Sequence, residues 1–348
     1  MFRSFVRVSA AAVMMLSLAD CGTTPASPPL VVSTPGPTAT ATTRGQSIYV
    51  VDGRSVLVFP ASASGDVAPT LSIDRPNFIT EIATDRDGNI YVDDTISSGS
   101  AVSVFVATQS AAASPIRTIA LPAGVQLIGK MTTDANRNLY VEEVVPAASP
   151  STNPAFAIAV YAPGATGNVA ASRTITTTLA PSLFTGSIGG IAVDGDGSIY
   201  VGGSNTMRDN QSVYVFAPTA NGLSTPTRTI AIAPSTGYSL FGLGLDSAGS
   251  IVVGGRPGLP TNLVLTVPIG SNGTTIPTSV GMDSGGLGFV NDVTVDAQGN
   301  VYLAESGSLA RFPGGIAVFA RGATSSTRFI ISAGRMNGPQ AIAIGPAR

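Results

Sequence analysis

The amino-acid sequence predicts an all-β fold assembled from repeats of about fifty residues. Aspartates recur at positions 85, 134, 194, 246 and 296, each after a short apolar run and before a turn sequence. β-Branched residues dominate short runs that Gly, Pro, Ser and Asn separate, which is typical of strands joined by turns. No stretch keeps a helical apolar period, so helices are not expected.

Each repeat predicts four strands, as the unit around Asp194 illustrates. Its strands fall at 191–193, 199–201, 213–217 and 227–230. Asp194 opens the turn between the first two strands, where its carboxylate can accept hydrogen bonds from backbone N–H groups, and Gly197 takes the positive-φ position. The Asp-x-Asp-Gly spacing is also that of calcium loops, but most of the repeats lack the second aspartate, which favours the turn-building role.

The two chain ends supply the parts of one more unit. Residues 341–344 match a first strand, with Gly345 in the aspartate position, and the chain then stops. Residues 47–50, 55–59 and 70–73 match a second, third and fourth strand. A sheet made from both ends closes a ring without an open edge. The sequence therefore predicts a six-bladed β-propeller with four-stranded blades over residues 45–348, closed by the C-terminal strand.

The repeat also carries a resemblance. The phrase Ile-Ala-Val-Asp-x-x-Gly-x-Ile-Tyr-Val, which begins at Ile191, resembles the NHL-type repeats of six-bladed propellers over roughly residues 46–346. That group includes gluconolactonase-like and lyase propellers. The lyases depend on histidines, which this chain lacks. The lactonases use carboxylate and amide ligands to a metal at the channel, and the resemblance implies that Glu81, Asp292 and Asn291 could imitate that set.

Composition excludes several classes of function. The 348 residues contain no histidine and one cysteine, which excludes Ser-His-Asp and Cys-His catalysis, His-ligated zinc, thiolate clusters and disulfides within the chain. Charged residues make up 11%, the net charge is −2 and Lys130 is the only lysine. A nucleic-acid partner needs a basic surface and is not expected.

Residues 1–21 read as a signal peptide, with Arg3 and Arg7 before a short apolar stretch. It ends in Leu-Ala-Asp-Cys, which resembles the lipobox of bacterial lipoproteins and predicts lipidation of Cys21. Asp20 departs from that pattern, and the alternative is ordinary secretion with cleavage near Ala26. Residues 22–44 form a Pro/Thr-rich tether. We expect an exported protein of the bacterial cell envelope, lipid-anchored or else periplasmic or extracellular.

Propellers usually bind ligands on the loops at one end of the channel. Here that end is formed by the loops before each first strand and after each second strand, and we call it the loop end. The aspartate turns form the opposite end, which we call the turn end. Glu81, Lys130 and Asp292 share one repeat position at the loop end, where the other blades carry Gly190, Gly242 and Ala341. With Asn291 beside them, these residues are the predicted ligand site.

Further carboxylates map to the same end, and two explanations are open for them. Glu81, Asp93, Asp94, Glu142 and Glu143 come from adjacent blades and could share a hard cation such as calcium. The alternative is that they keep this face solvated. No other cofactor is expected.

Three functions are compatible with this sequence. The first is a non-catalytic binding or scaffold protein whose small-molecule or protein ligand binds the loop end. The second is an enzyme, either a metal-dependent lactonase-like propeller or another hydrolase, with its site at the channel mouth. The third is a protein-interaction module on the long loops 142–155, 202–211 and 254–262. The absence of a catalytic set favours the first.

The repeated arginines predict no site of their own. Arg117, Arg173, Arg228 and Arg328 recur in the outermost strands, too far apart to meet on one ligand. Charges on outer strands discourage edge-to-edge aggregation, and that is the role we expect of them. The recurring Tyr and Phe of the second and third strands are expected to pack between the blades.

Overall fold

A computed structural model describes residues 45–97, 99–106, 114–145, 155–177, 188–204, 211–233, 239–258, 261–283, 288–307 and 314–346. These residues form β-strands and turns, and none of them lies in a helix. Within these ranges there is accordingly no helix long and apolar enough to cross a bilayer. The predicted signal peptide, Cys21 and the tether lie outside the described residues.

The strands form six sheets, which we number as blades in their order around the ring. Every blade contains four antiparallel strands, which run from an inner strand at the channel to an outer strand at the rim. Blade 1 contains β27 (Pro339–Pro346), β1 (Gln46–Asp52), β2 (Ser55–Pro60) and β4 (Leu71–Asp74). Blade 2 contains β5 (Ile82–Thr84), β6 (Asn89–Ile96), β7 (Gly99–Val106) and β8 (Arg117–Ala120). Blade 3 contains β9 (Gln126–Thr133), β10 (Leu139–Val145), β11 (Ala155–Tyr161) and β12 (Arg173–Thr177).

The other three blades repeat this order. Blade 4 contains β13 (Ile188–Val193), β14 (Ile199–Ser204), β15 (Gln211–Phe216) and β17 (Arg228–Ile232). Blade 5 contains β18 (Ser239–Leu245), β19 (Ile251–Gly258), β20 (Thr261–Val267) and β22 (Ser279–Asp283). Blade 6 contains β23 (Gly288–Val295), β24 (Val301–Gly307), β25 (Gly315–Phe319) and β26 (Arg328–Ile331).

The ring closes as the sequence predicts. β27 pairs antiparallel with β1, with Ile342 opposite Val50, so both chain ends share blade 1. Each inner strand contacts the inner strands of the blades on either side, in the cyclic order β27, β5, β9, β13, β18, β23 and β27 again. The predicted six-bladed β-propeller is confirmed.

Three blades gain a fifth strand that the sequence did not predict. Blades 3, 4 and 6 each end in a short parallel strand, and the three are β16 (Gly222–Ser224), β21 (Gly273–Thr275) and β3 (Gly65–Asp66). Each of these strands comes from the next blade in the ring. They cover the unpaired backbone of the outer strand, which would otherwise be an exposed edge.

The turn-building role of the repeated aspartates is confirmed. Asp194 Oδ1 accepts hydrogen bonds from the N–H groups of Asp196, at 3.0 Å, and Ser198, at 2.8 Å. Gly197 has a φ of 85°, in the left-handed region that favours glycine. In blade 3 the corresponding residue is Arg137, at a φ of 67°, which is the one positive-φ residue other than glycine in the described ranges.

The arginines of the outer strands tie neighbouring blades together. Arg117 donates to the carbonyl of Ala165 in blade 3 at 3.0 Å and to the hydroxyl of Tyr91 in its own blade at 2.9 Å. Tyr91 in turn donates to Asp85 at 3.0 Å. The same chain of contacts recurs at Arg173, Arg228 and Arg328. The expectation of exposed edge charges is therefore wrong, because each guanidinium is half-buried between two blades.

The aromatic side chains pack as expected. Tyr91 of blade 2 and Tyr161 of blade 3 belong to one apolar cluster between the two blades. Tyr and Phe of the second and third strands are among the largest fully buried side chains. The blades are therefore closely packed against each other, which determines where the inner strands place their side chains around the channel.

Candidate functional site

Glu81, Lys130 and Asp292 meet inside the channel. Lys130 Nζ lies 2.9 Å from Glu81 Oε1 and 2.9 Å from Asp292 Oδ1. Glu81 precedes the inner strand of blade 2, Lys130 lies in that of blade 3 and Asp292 in that of blade 6. Since blades 3 and 6 face each other across the ring, the lysine side chain spans the channel. We call these three residues the ion triad.

The backbone around the triad holds its members in place. Glu142 Oε2 accepts a hydrogen bond from the N–H of Lys130 at 3.2 Å, and Asp292 Oδ2 accepts one from the N–H of Ile342 at 3.0 Å. Asp93 Oδ1 accepts the N–H of Glu81 at 2.9 Å. The triad side chains are only 9 to 11% exposed. They are therefore largely desolvated, and their charges interact more strongly than they would in water.

One ammonium group cannot neutralise two buried carboxylates. Burial raises the pKa of Glu81 to about 8. The ammonium of Lys130 opposes this rise, and the carboxylate of Asp292 adds to it. Burial alone would lower the pKa of Lys130, but the carboxylates of Asp292 and Glu81 outweigh burial and raise it. At neutral pH, Lys130 is therefore charged and Glu81 is mostly protonated.

A cavity of about 220 Å³ occupies the channel beside the triad. Its lining extends from the triad to the last residues of the inner strands at the turn end, including Thr84, Thr133 and Ile344. Thr84 Oγ1 donates to the carbonyl of Ile344 at 2.7 Å, and Thr133 Oγ1 donates to that of Thr84 at 2.8 Å. These bonds link the inner strands of blades 1, 2 and 3 at the turn end. The cavity is small and has polar groups at both ends.

The carboxylates predicted to share a cation are instead used separately. Asp93 accepts the N–H groups of Thr80 and Glu81, and Asp94 pairs with Arg75 at 2.5 Å. Glu143 accepts the hydroxyl of Tyr161 at 2.7 Å. Among the residues the structure describes, no group of three or more His, Cys, Asp or Glu side chains is placed to hold a metal.

Burial and hydrogen bonding shift the pKa values of these acids in different directions. Burial raises the pKa of Asp93 and of Glu143, against the hydrogen bonds that each accepts. Asp94 is also desolvated, but bonds from Ser103, Asn77 and Arg75 outweigh burial and lower its pKa. Its bond to Arg75 joins the loop after blade 1 to blade 2. Asp94 and Glu143 are buried and Asp93 is half-buried, so the expectation of a solvated acidic face does not describe them either.

Amide side chains complete the loop end of the channel. Asn291 Nδ2, predicted to join the ligand site, donates to the carbonyl of Pro339 at 2.7 Å. Gln340 occupies the same repeat position in blade 1, and its Oε1 is buried without a hydrogen-bond partner among the described residues. Sequence reasoning missed Gln340, although its alignment with Asn291 could have identified it. The long loops proposed for protein interaction lie partly outside the described residues, at 146–154, 205–210 and 259–260.

Comparisons with known proteins identify the fold alone. No protein-family model matches the chain, and no curated protein matches it in sequence. A protein of unknown function from Bacteroides caccae superposes with a TM-score of 0.59 at 11% identity, over 86% of this chain and 98% of that one. Two other solved structures are more distant. A protein from Lactobacillus plantarum has a TM-score of 0.48 at 11% identity, over 86% of this chain and 99% of that one. The PQQ-bound aldose sugar dehydrogenase of Streptomyces coelicolor has a TM-score of 0.49 at 10% identity, over 86% of this chain and 89% of that one.

Proposed function

We propose that this chain is an exported binding protein of the bacterial cell envelope and is anchored through Cys21. In this proposal the protein holds a small ligand in the propeller channel without catalysing a reaction. The ion triad is the observation that carries the proposal. Blades 1, 4 and 5 have Ala341, Gly190 and Gly242 at the triad position, so this inner-strand position does not require a charge. Buried ion pairs are also a weak source of stability. A binding role accounts for the charges better than a structural one.

The lactonase-like alternative is not favoured by this geometry. A metal would have to lie between Glu81 and Asp292, and the ammonium of Lys130 lies between them. Asn291, the amide in the set that the resemblance implies, is bonded to Pro339. The residues present therefore do not fit the metal, and we derive no reaction from it.

A thermal-shift screen of small metabolites tests the binding role. A channel ligand should raise the unfolding temperature of the wild type and lose that effect in Glu81→Gln, which keeps the side-chain shape but cannot ionise. Asp196→Asn is the matched control, because Asp196 is an exposed carboxylate in a turn far from the triad. A ligand that stabilises Glu81→Gln as much as Asp196→Asn would contradict the proposal. Lactone hydrolysis that is lost in Glu81→Gln would contradict it as well.

Cell fractionation tests the anchor. The wild type should sediment with membranes, and Cys21→Ser should be released as a soluble envelope protein, because the lipid would have no attachment point. Equal release of both proteins would show secretion without an anchor.

A further inference from the structure

We infer that the channel cavity binds a small organic cation that carries a protonated primary amine, and this inference rests on the proposed binding function. Three observations of the cavity support it: the charge balance of the triad, an unpaired carboxylate oxygen and the chemistry of the lining. Each points to a cation with N–H donors.

The charge balance leaves room for one more positive charge. With both carboxylates ionised, Glu81, Asp292 and Lys130 sum to one net negative charge in a desolvated site. The other ionisable groups nearby do not supply the missing charge, since Asp93 and Glu142 are themselves acids. A monovalent cation in the cavity would neutralise the site without displacing Lys130.

An acceptor for that cation is already in place. Asp292 uses one oxygen for Lys130 and the other for the N–H of Ile342. Glu81 uses Oε1 for Lys130, and its Oε2 accepts no hydrogen bond from the described residues. The Glu81 side chain is only 9% exposed and lines the cavity. An N–H group of a ligand in the cavity could donate to this oxygen, which the protein itself leaves without a donor.

The lining favours a primary ammonium over other cations. Four threonines, Thr84, Thr132, Thr133 and Thr294, border the cavity and can offer hydroxyl oxygens. None of the described lining residues is aromatic, so the cavity lacks the cage that recognises quaternary ammonium groups. Liquid water occupies roughly 30 Å³ per molecule. A cavity of about 220 Å³ therefore holds several waters or a ligand of a few heavy atoms.

Titration calorimetry with methylammonium chloride tests the inference, with tetramethylammonium and calcium chlorides as comparison probes at matched ionic strength. Methylammonium should bind the wild type about tenfold more tightly at pH 9 than at pH 7, because Glu81 must lose its proton before it can accept the cation. Glu81→Gln should weaken binding at least tenfold and remove the pH dependence. Asp196→Asn should bind like the wild type.

The outcomes separate this inference from the proposed function. Tighter binding of tetramethylammonium or calcium than of methylammonium would overturn the ammonium assignment, as would equal methylammonium affinity in Glu81→Gln. If acetate or glucose binds the wild type instead and Glu81→Gln abolishes that binding, the channel is still a binding site and only the ligand class is wrong. Circular dichroism confirms that each variant is folded before it is titrated.

Discussion

At the scale of single residues, Lys130 determines the state of the channel. It is the only lysine in the chain and the only cation that contacts Glu81 and Asp292 among the described residues. Its ammonium occupies the place between two carboxylates that a bound cation would otherwise take. The sequence aligned these three residues at one repeat position, but the contact across the ring depends on blade number and side-chain length, which no local pattern encodes.

Removing the ammonium should destabilise the fold strongly. Lys130→Met leaves the buried carboxylate of Asp292 without a counter-charge, and at high pH that of Glu81 as well. We therefore expect a loss of about 3–5 kcal/mol in the free energy of unfolding, larger at high pH. Urea unfolding measures it. Arg137→Met is the control, because Arg137 pairs with Asp87 at the surface, where both side chains are more than 40% exposed, and should lose less than about 1 kcal/mol.

An equal loss of unfolding free energy in Lys130→Met and Arg137→Met would show that the triad is not an isolated buried site. Should Lys130→Met fail to fold, the double variant with Glu81→Gln removes one of the two buried acids and should recover stability.

Glu81 should make stability depend on pH. Its pKa of about 8 in the folded protein lies above its ordinary value of 4.5, so the folded state holds an extra proton between these limits. The free energy of unfolding contributed by this group therefore falls as pH rises from about 4.5 to about 8. Unfolding at several pH values should show a shallower decline for Glu81→Gln, whereas parallel curves would contradict the raised pKa. Asp93 and Glu143 are common to both proteins and cancel in the comparison.

At the scale of structural elements, the contacts between blades account for residues whose roles the sequence misassigned. The turns depend on residues a few positions apart and were predicted correctly from the Asp and Gly spacing. The arginine ties and the fifth strands each join two neighbouring blades. The bond of Asp94 to Arg75 joins blade 2 to the loop that precedes it. Their partners are distant in the sequence or lie in a neighbouring repeat, so a repeat read in isolation gives no sign of them.

The tie between blades 4 and 5 offers a direct test of this account. Arg228 donates to the carbonyl of Ser271 at 3.1 Å and to the hydroxyl of Tyr200 at 3.0 Å. Arg228→Met should lower the free energy of unfolding by about 1–2 kcal/mol, and its effect should not add to that of Tyr200→Phe. Arg321→Met, at an exposed rim position, should stay within about 0.5 kcal/mol of the wild type. Equal effects at both arginines would mean that the tie contributes nothing.

The inner strands of blades 4 and 5 approach too closely for any side chain at Gly190. A Cβ there would lie 2.5 Å from the backbone nitrogen of Leu243. Gly190→Ala should therefore cost about 1–3 kcal/mol of stability, by thermal or urea unfolding. Gly195→Ala is the matched control, since nothing lies within 4 Å of its Cβ position. An unchanged Gly190→Ala variant would show that the two strands can separate at no cost.

At the scale of the whole molecule, the low charge and abundant small residues fit six sheets stacked face to face around a narrow channel. The ring closure could be predicted because both chain ends carry parts of one repeat. The site could be predicted only in part, because five acidic residues at one end indicated a shared cation, and the fold uses four of them separately. Among the described carboxylates, Glu81 alone combines burial, an oxygen without a protein donor and contact with the cavity.

Carbon-13 NMR of the glutamate carboxyl groups tests the central claim most directly. The chain contains four glutamates, so selective labelling gives four signals, and the Glu81 signal is assigned by its loss in Glu81→Gln. We predict that this signal titrates near pH 8 and that methylammonium moves its midpoint to lower pH. A midpoint near the ordinary value of 4.5 that methylammonium leaves unchanged would contradict both the buried triad and its role in binding a cation.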